Sequence, residues 1–319
     1  MSRPGGGGLL ARIRRDRPDE AAGFEAVAVV AERLAVMLAA GVPAPAVWRH
    51  VDDGVGTAVA EAAAAAAAAG QPVGDAIAGA APPGPTRLAW STLAAAWHVA
   101  ESAGAPLAAS LRDLAAALRD EAHARREVRA ALAGPRASAR MVTALPIIAA
   151  AFGALLGFDT VGVLFGSPVG ITCLLVGSAL LWAGSRWNRA LARRAAPDRP
   201  SPGLELDLFA VAMSGGASLE RSRRLAAEAL DRHVPAAAGL DDVEATVRLA
   251  SNAGAPVAEL LRSEAARRRR EARSDAMVRA AALSVRLMLP LGACVLPAFV
   301  LLGVAPLMIS VVTGTLGAA

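Results

Sequence analysis

The sequence contains no lysine and no tyrosine, and it has only two cysteines. A Gly-x-x-x-x-Gly-Lys loop needs a lysine to bind nucleotide phosphates, so phosphate transfer by that route is excluded. Cys173 and Cys294 cannot form a disulfide framework or a zinc site, and we interpret them as small apolar fillers. The sequence therefore predicts no catalytic residue, no cofactor and no metal. The histidines are scattered without metal-ligand spacing, at His50, His98, His123 and His233.

Aromatic residues are also scarce, at 3% of the 319 residues, while the net charge is +5. Nucleic-acid binding is not indicated, because no aromatic side chains for base stacking are interleaved with the arginines. All 33 basic residues are arginine, which we interpret, with the abundant alanine, as coding bias from a GC-rich genome. Many of these arginines flank apolar runs, where anionic lipid is the expected partner.

Three long runs of the sequence carry no charge: 141–158, 161–184 and 287–312. A bilayer core needs about 20 apolar residues in a helix, so each run predicts a transmembrane helix. Only Asp159 and Thr160 separate the first two, which predicts a membrane hairpin rather than a buried helical pair of a soluble core. The third run contains three prolines and requires local adjustment of its backbone hydrogen bonds.

The arginines beside these runs predict the orientation of the chain in a cell membrane. Arginine is retained on the cytoplasmic side, so the N-terminus is expected inside and the C-terminus outside. Residues 1–18 predict a disordered tail, because they combine a glycine run at 5–8 with solvated arginines. Charges follow Arg14 and Arg15 where an export signal needs an apolar region, so no such signal is expected. The flanking set is Arg125, Arg126, Arg129, Arg136 and Arg140, then Arg186, Arg189, Arg193, Arg194 and Arg199.

The remaining sequence predicts two helical domains, at residues 19–135 and 204–280. Apolar residues recur every three to four positions, which is typical of amphipathic helices. Glycine, often followed by proline, ends these helices, as expected for left-handed C-terminal caps. The predicted turn residues are Gly41, Gly104, Pro106, Gly216, Gly254 and Pro256.

The second domain repeats the first. Residues 100–107 (Ala-Glu-Ser-Ala-Gly-Ala-Pro-Leu) match residues 250–257 (Ala-Ser-Asn-Ala-Gly-Ala-Pro-Val), and the alignment continues without a gap to Ala131 and Ala281. Upstream, the helix ending at Gly41 pairs with the one ending at Gly216. The second copy lacks a counterpart of the poly-alanine and 70–77 region. The fold class is therefore all-α, an integral membrane protein with two repeated cytoplasmic helical-bundle domains and three transmembrane helices.

This layout resembles the type II secretion F family, the inner-membrane platform proteins of type II secretion systems, type IV pili and Tad-type pili. Residues 38–43 are similar to the family's leucine-rich helix that ends in a glycine turn. Residues 70–77 are similar to its Gly-x-x-Leu-x-x-Ala segment, and 101–107 to its Glu-x-Gly-x-Leu corner. The resemblance implies a non-enzymatic platform that couples a cytoplasmic ATPase to pilin or pseudopilin assembly. Its implied partners are that ATPase, the pilin subunits, membrane lipid and other platform copies or paralogues.

Two other functions fit the layout. A transporter needs ionisable groups within its spans, and only Asp159 and Arg286 come near, both at edges. A membrane-tethered signalling or adaptor protein is the other alternative. For a platform, we expect force to enter through cytoplasmic arginines, although those at 267–270 are also consistent with a solvated or lipid-facing helix face. The expected partner-contact set is Arg125, Arg126, Arg267, Arg268, Arg269 and Arg270.

Overall fold

The computed structural model describes residues 20–51, 56–84, 86–134, 165–195, 202–235, 243–306 and 308–309, with isolated positions between 137 and 162. All regular secondary structure in these residues is helical, which confirms the all-α class. The chain forms two compact units. The first takes residues from Met1–Arg126 and Asp198–Arg273, and the second takes residues from Glu127–Pro197 and Ser274–Ala319.

The first copy of the repeat begins with an amphipathic helix and ends with a long polar one. Helix α3 is almost pure alanine, the strongest helix former, and buries a stripe at Val59, Ala60, Ala63 and Ala66. A 3₁₀ turn, Trp48–His50, follows α2. The helices are α1 (Glu20–Ala39), α2 (Ala44–Val47), α3 (Thr57–Ala68), α4 (Val73–Ala80), α5 (Arg87–Ala103) and α6 (Leu107–Ala131).

The described part of the second copy contains four helices and has no counterparts of α3 and α4. Its first helix, α8, is buried on almost every side, which is typical of a core helix. Ser218 caps the next helix by accepting a hydrogen bond from the Arg221 backbone N–H. After helix α7 (Pro168–Ala195), the helices of this copy are α8 (Leu204–Ser214), α9 (Leu219–His233), α10 (Val243–Ala253) and α11 (Val257–Arg286).

Both copies share one hydrophobic core in the first unit. Phe24 and Trp97 from the first copy belong to the same buried cluster as Leu206 and Phe209 from the second. Helix α5 contacts both α8 and α9. The sequence predicted two bundles. The second copy has too few helices to cover α8, so α8 packs on α5 of the first copy. The pattern within each copy could not show this contact.

The second unit contains the apolar helices. Among the described residues, two stretches are long and apolar enough to cross a membrane, Pro168–Asn188 and one within Val257–Val304. Only 22% and 29% of their most apolar windows are buried, whereas a soluble core helix would be mostly buried. The run 141–158 lies largely outside the described residues, as do 159–161 and the chain after Ile309. Two of the three expected spans are therefore found as candidates.

Helix α7 packs against the C-terminal apolar segment through glycine. A Cβ on Gly177 would lie 2.5 Å from Leu302 Cγ, and one on Gly184 would lie 3.0 Å from Cys294 Cβ. The prolines are accommodated by alternating helix types, since the missing N–H groups leave carbonyls that a wider turn can satisfy. The segment runs through α-helical Met288–Pro290 and Leu296–Phe299, alternating with π-helical Leu291–Val295 and Val300–Val304.

Candidate functional site

The corner glycines have the same conformation in both copies. Gly104 and Gly254 have φ of 67° and 63°, the left-handed region in which a side chain is strained. The next residue closes each corner, with Ala105 N–H donating to Ala100 O at 2.9 Å and Ala255 N–H to Ala250 O at 3.0 Å. Gly41 and Gly216 also have positive φ, 88° and 77°. Pro106 and Pro256 then precede α6 and α11, and their carbonyls accept the first helical hydrogen bonds.

Gly104→Val is expected to lower the free energy of unfolding by about 1–3 kcal/mol, because the substituted residue is held at positive φ. No atom lies within 4 Å of the added Cβ, so backbone strain is the only expected cause. Thermal unfolding of the full chain in detergent, followed by circular dichroism, measures the effect. Gly79→Val is the matched control, because Gly79 has equally open surroundings but no positive φ. Equal melting temperatures for the two variants would contradict the assignment.

The two copies also repeat one ion pair. Glu32 on α1 pairs with Arg119 on α6, and Asp207 on α8 pairs with Arg269 on α11. These four residues occupy equivalent positions in the alignment that matches Gly41 to Gly216 and Gly104 to Gly254. The contact therefore joins the first helix of each copy to its last helix.

The arginines expected on α6 are already paired within the chain. The Arg125 guanidinium lies 2.8 Å from Glu20 and 2.7 Å from Glu121. It also stacks 4.5 Å from the centroid of the Phe24 ring, and only 10% of its side chain is exposed. Arg126 lies 3.1 Å from Glu25. Both side chains thus fasten α6 to α1.

The arginine run on α11 divides into two kinds. Arg268 lies 3.1 Å from Glu205 and Arg269 pairs with Asp207, so both hold α11 to α8. Arg267 is exposed and pairs with Glu264 and Glu271 of its own helix. Arg270 is exposed and has no ion-pair partner among the residues that the structure describes.

The family model of type II secretion system protein F matches residues 30–154 and 180–305. The chain belongs to this family. The match covers both copies of the repeat and confirms the resemblance found in the sequence. A search of curated proteins gave no match. Members of the family are non-enzymatic membrane platform proteins, and the exposed apolar helices agree with an inner-membrane location.

In this family member, the start of α8 carries two carboxylates inside the protein. Glu205 is 4% exposed, and Asp207 is about one-quarter exposed. Burial raises the pKa of Asp207 to about 6, although the Arg269 guanidinium opposes the shift. The contribution of Asp207 to stability is therefore largest in acid and declines as the pH rises through about 6. The Arg269 guanidinium favours the charged form of Asp207 and so limits the rise of its pKa.

Sequence reasoning missed the residues that join the two copies. A Cβ on Gly215 would lie 2.3 Å from the carbonyl oxygen of Ala103, so α8 ends directly against the Gly104 corner. The ring centroids of His98 and His233 lie 5.6 Å apart in an edge-to-face arrangement, and His233 Nε2 lies 3.8 Å from Asp75 Oδ1. These contacts join distant parts of the chain and have no local pattern. Within the described ranges, no group of His, Cys, Asp or Glu could hold a metal ion.

Proposed function

We propose that this chain is the inner-membrane platform of a type II secretion, type IV pilus or Tad-like pilus machine, and that it couples a cytoplasmic ATPase to pilin or pseudopilin assembly. The family match across both repeats carries the proposal. The low burial of the apolar helices supports a membrane-embedded role. Deleting the gene should abolish pilus or secretion output, and the intact chain supplied in trans should restore it. Unchanged output in the deletion strain would exclude the proposal.

The proposed topology places domains 19–135 and 204–280 in the cytoplasm, with spans at 141–158, 161–184 and 287–312. Alkaline phosphatase, which is active only outside the cytoplasm, should be active when fused at Asp159 or at Ala319. It should be inactive at Ser201, because the Arg-rich flanks stay inside. Green fluorescent protein fused at the same positions serves as the reciprocal control. A cytoplasmic Ala319 would exclude three spans.

We also propose an electrostatic contact between the arginine set and an acidic surface of the ATPase or of a neighbouring copy. Four of the six arginines, Arg125, Arg126, Arg268 and Arg269, already bind carboxylates on α1 or α8. The contact therefore falls mainly to Arg267 and Arg270, which are exposed on α11. Replacing all four arginines at 267–270 with glutamate would also break the contacts of Arg268 and Arg269 with α8. A loss of ATPase binding could then not be distinguished from a loss of folding.

The double variant Arg267→Glu and Arg270→Glu should weaken ATPase co-purification at low salt while the protein still inserts and melts normally. Exposed ion pairs contribute about 0.2–1 kcal/mol each, so the double change should lower the retained ATPase by roughly tenfold. Arg87→Glu and Arg49→Glu together alter the net charge equally at other exposed arginines and should leave binding unchanged. Equal retention by both double variants would assign Arg267 and Arg270 to solvent or lipid.

A further inference from the structure

A cleft of about 230 Å³ opens between α8, α9 and α10 of the second copy. Its floor is apolar, formed by Phe209, Leu219, Val243 and Val247. Phe209 is fully buried, whereas Leu219 is 40% exposed at the edge. The space is smaller than the roughly 300–1,000 Å³ of a typical small-molecule pocket, and its size suits a single large side chain.

The first copy shows what fills the equivalent space there. The repeated ion pair and the corner glycines align the two copies. In this alignment Trp48 corresponds to Arg223 and Trp97 to Val247. The two indole rings lie 5.2 Å apart and are each 1% exposed. In the second copy a valine and an arginine replace them. The Arg223 guanidinium points to the rim, where it pairs with Glu244 at 2.9 Å, so the aromatic volume is lost.

The rim of the cleft carries charge that suits a protein partner. Glu220 and Arg248 line it beside the Arg223–Glu244 pair, and neither has an ion-pair partner among the described residues. A guanidinium beside an apolar floor favours an aromatic ring, because the ring face attracts a cation. A guanidinium packed over an aromatic ring occurs elsewhere in the chain, where Arg125 lies over Phe24.

We propose that this cleft binds an aromatic side chain presented by another polypeptide, with a carboxylate of that segment opposite Arg248. A buried aromatic anchor surrounded by polar contacts is the usual form of an interface hot spot. A different polypeptide is favoured over a second copy, since the exposed aromatics of the described chain are confined to its apolar stretches, at Phe152, Phe165, Trp182 and Trp187. The inference goes beyond the platform role and does not depend on which machine the chain serves.

N-acetyl-L-tryptophanamide, titrated into the full chain in detergent with ¹³C-labelled valine methyls, tests the cleft directly. Ring currents should shift the Val243 and Val247 methyl signals saturably. N-acetyl-L-leucinamide should need about tenfold higher concentration, because it lacks the aromatic contacts. Shifts that do not saturate, or equal shifts from both probes, would overturn the proposal.

Val247→Trp should fill the cleft from within, as Trp97 does in the first copy, and should abolish the saturable shift of Val243. Leu249→Trp is the matched control, since Leu249 lies on another face of the same helix and is 60% exposed. The control should bind the probe normally. Retained binding in Val247→Trp, with a circular dichroism spectrum like that of the parent chain, would place the probe elsewhere and overturn the proposal.

A photo-crosslinker at Leu219, in cells that assemble the machine, gives a second test that does not require Val247→Trp to fold. The captured peptide should come from another protein and carry a Trp, Tyr or Phe at the linked position. Replacing that residue with alanine should lower the yield at least about fivefold. Capture of a second copy of this chain, or of a segment without an aromatic residue, would overturn the proposal.

Discussion

Gly215→Ala is expected to lower the free energy of unfolding by about 3 kcal/mol, the upper end of what overpacking costs. The added Cβ would lie 2.3 Å from Ala103 O, 2.9 Å from Ala103 C and 2.9 Å from Ala105 N. All three atoms belong to the backbone of a corner, so no side-chain rotation can relieve the contact. The melting temperature of the full chain should fall by roughly 10 °C.

Gly216→Ala is the matched control for Gly215→Ala. Gly216 has φ of 77° but open space around its Cβ, so only the left-handed backbone resists the change, at about 1–2 kcal/mol. Gly215 should therefore be the more sensitive of two adjacent glycines, even though its own φ of –80° is ordinary. The reverse order would show that α8 does not end against the Gly104 corner.

Arg269→Glu should destabilise the chain by about 3–5 kcal/mol, because it removes the partner of a largely buried carboxylate and adds a like charge. The new carboxylate would face Asp207, whose pKa burial already raises to about 6. Without the guanidinium this pKa should rise further. Since a raised folded-state pKa gives stability that is lost as the pH increases, the variant should be less stable at pH 8 than at pH 5.

Arg270→Glu makes the same substitution at the next position and should change the stability by no more than about 0.5 kcal/mol, as exposed sites usually do. Both variants are compared by calorimetry of the full chain across the pH range. Equal melting temperatures for Arg269→Glu and Arg270→Glu at pH 8 would show that the pair with Asp207 does not hold α11 to α8.

The features that the sequence predicted well are those with a local cause. The first helix was expected to end at Gly41, and α1 ends at Ala39, since a glycine cap acts within a few residues. The Gly104 and Gly254 corners depend on a residue without a side chain, which is visible in the sequence itself. The repeat followed from the matching segments at 100–107 and 250–257, and the family match covers both copies.

The features that could not be predicted depend on contacts between distant segments. Arg268 and Arg269 looked like part of an exposed run, because i,i+4 spacing shows the partners on α11 but not Glu205 or Asp207 on α8. Gly215 was not among the predicted turn residues, because the backbone that it contacts belongs to a distant corner. The cleft beside Val247 could not be predicted, because its lining comes from three helices that are separated in the sequence.

The uneven distribution of tryptophan divides the chain spectroscopically. Trp48, Trp90 and Trp97 are fully buried in the first copy, Trp182 and Trp187 are exposed on α7, and the second copy has none. The red shift of a buried indole on exposure to water therefore reports unfolding of the first copy alone, because Trp182 and Trp187 are already exposed. The second copy contains no tryptophan and adds nothing to this fluorescence. A label placed within the second copy would therefore report its opening separately from that of the first copy.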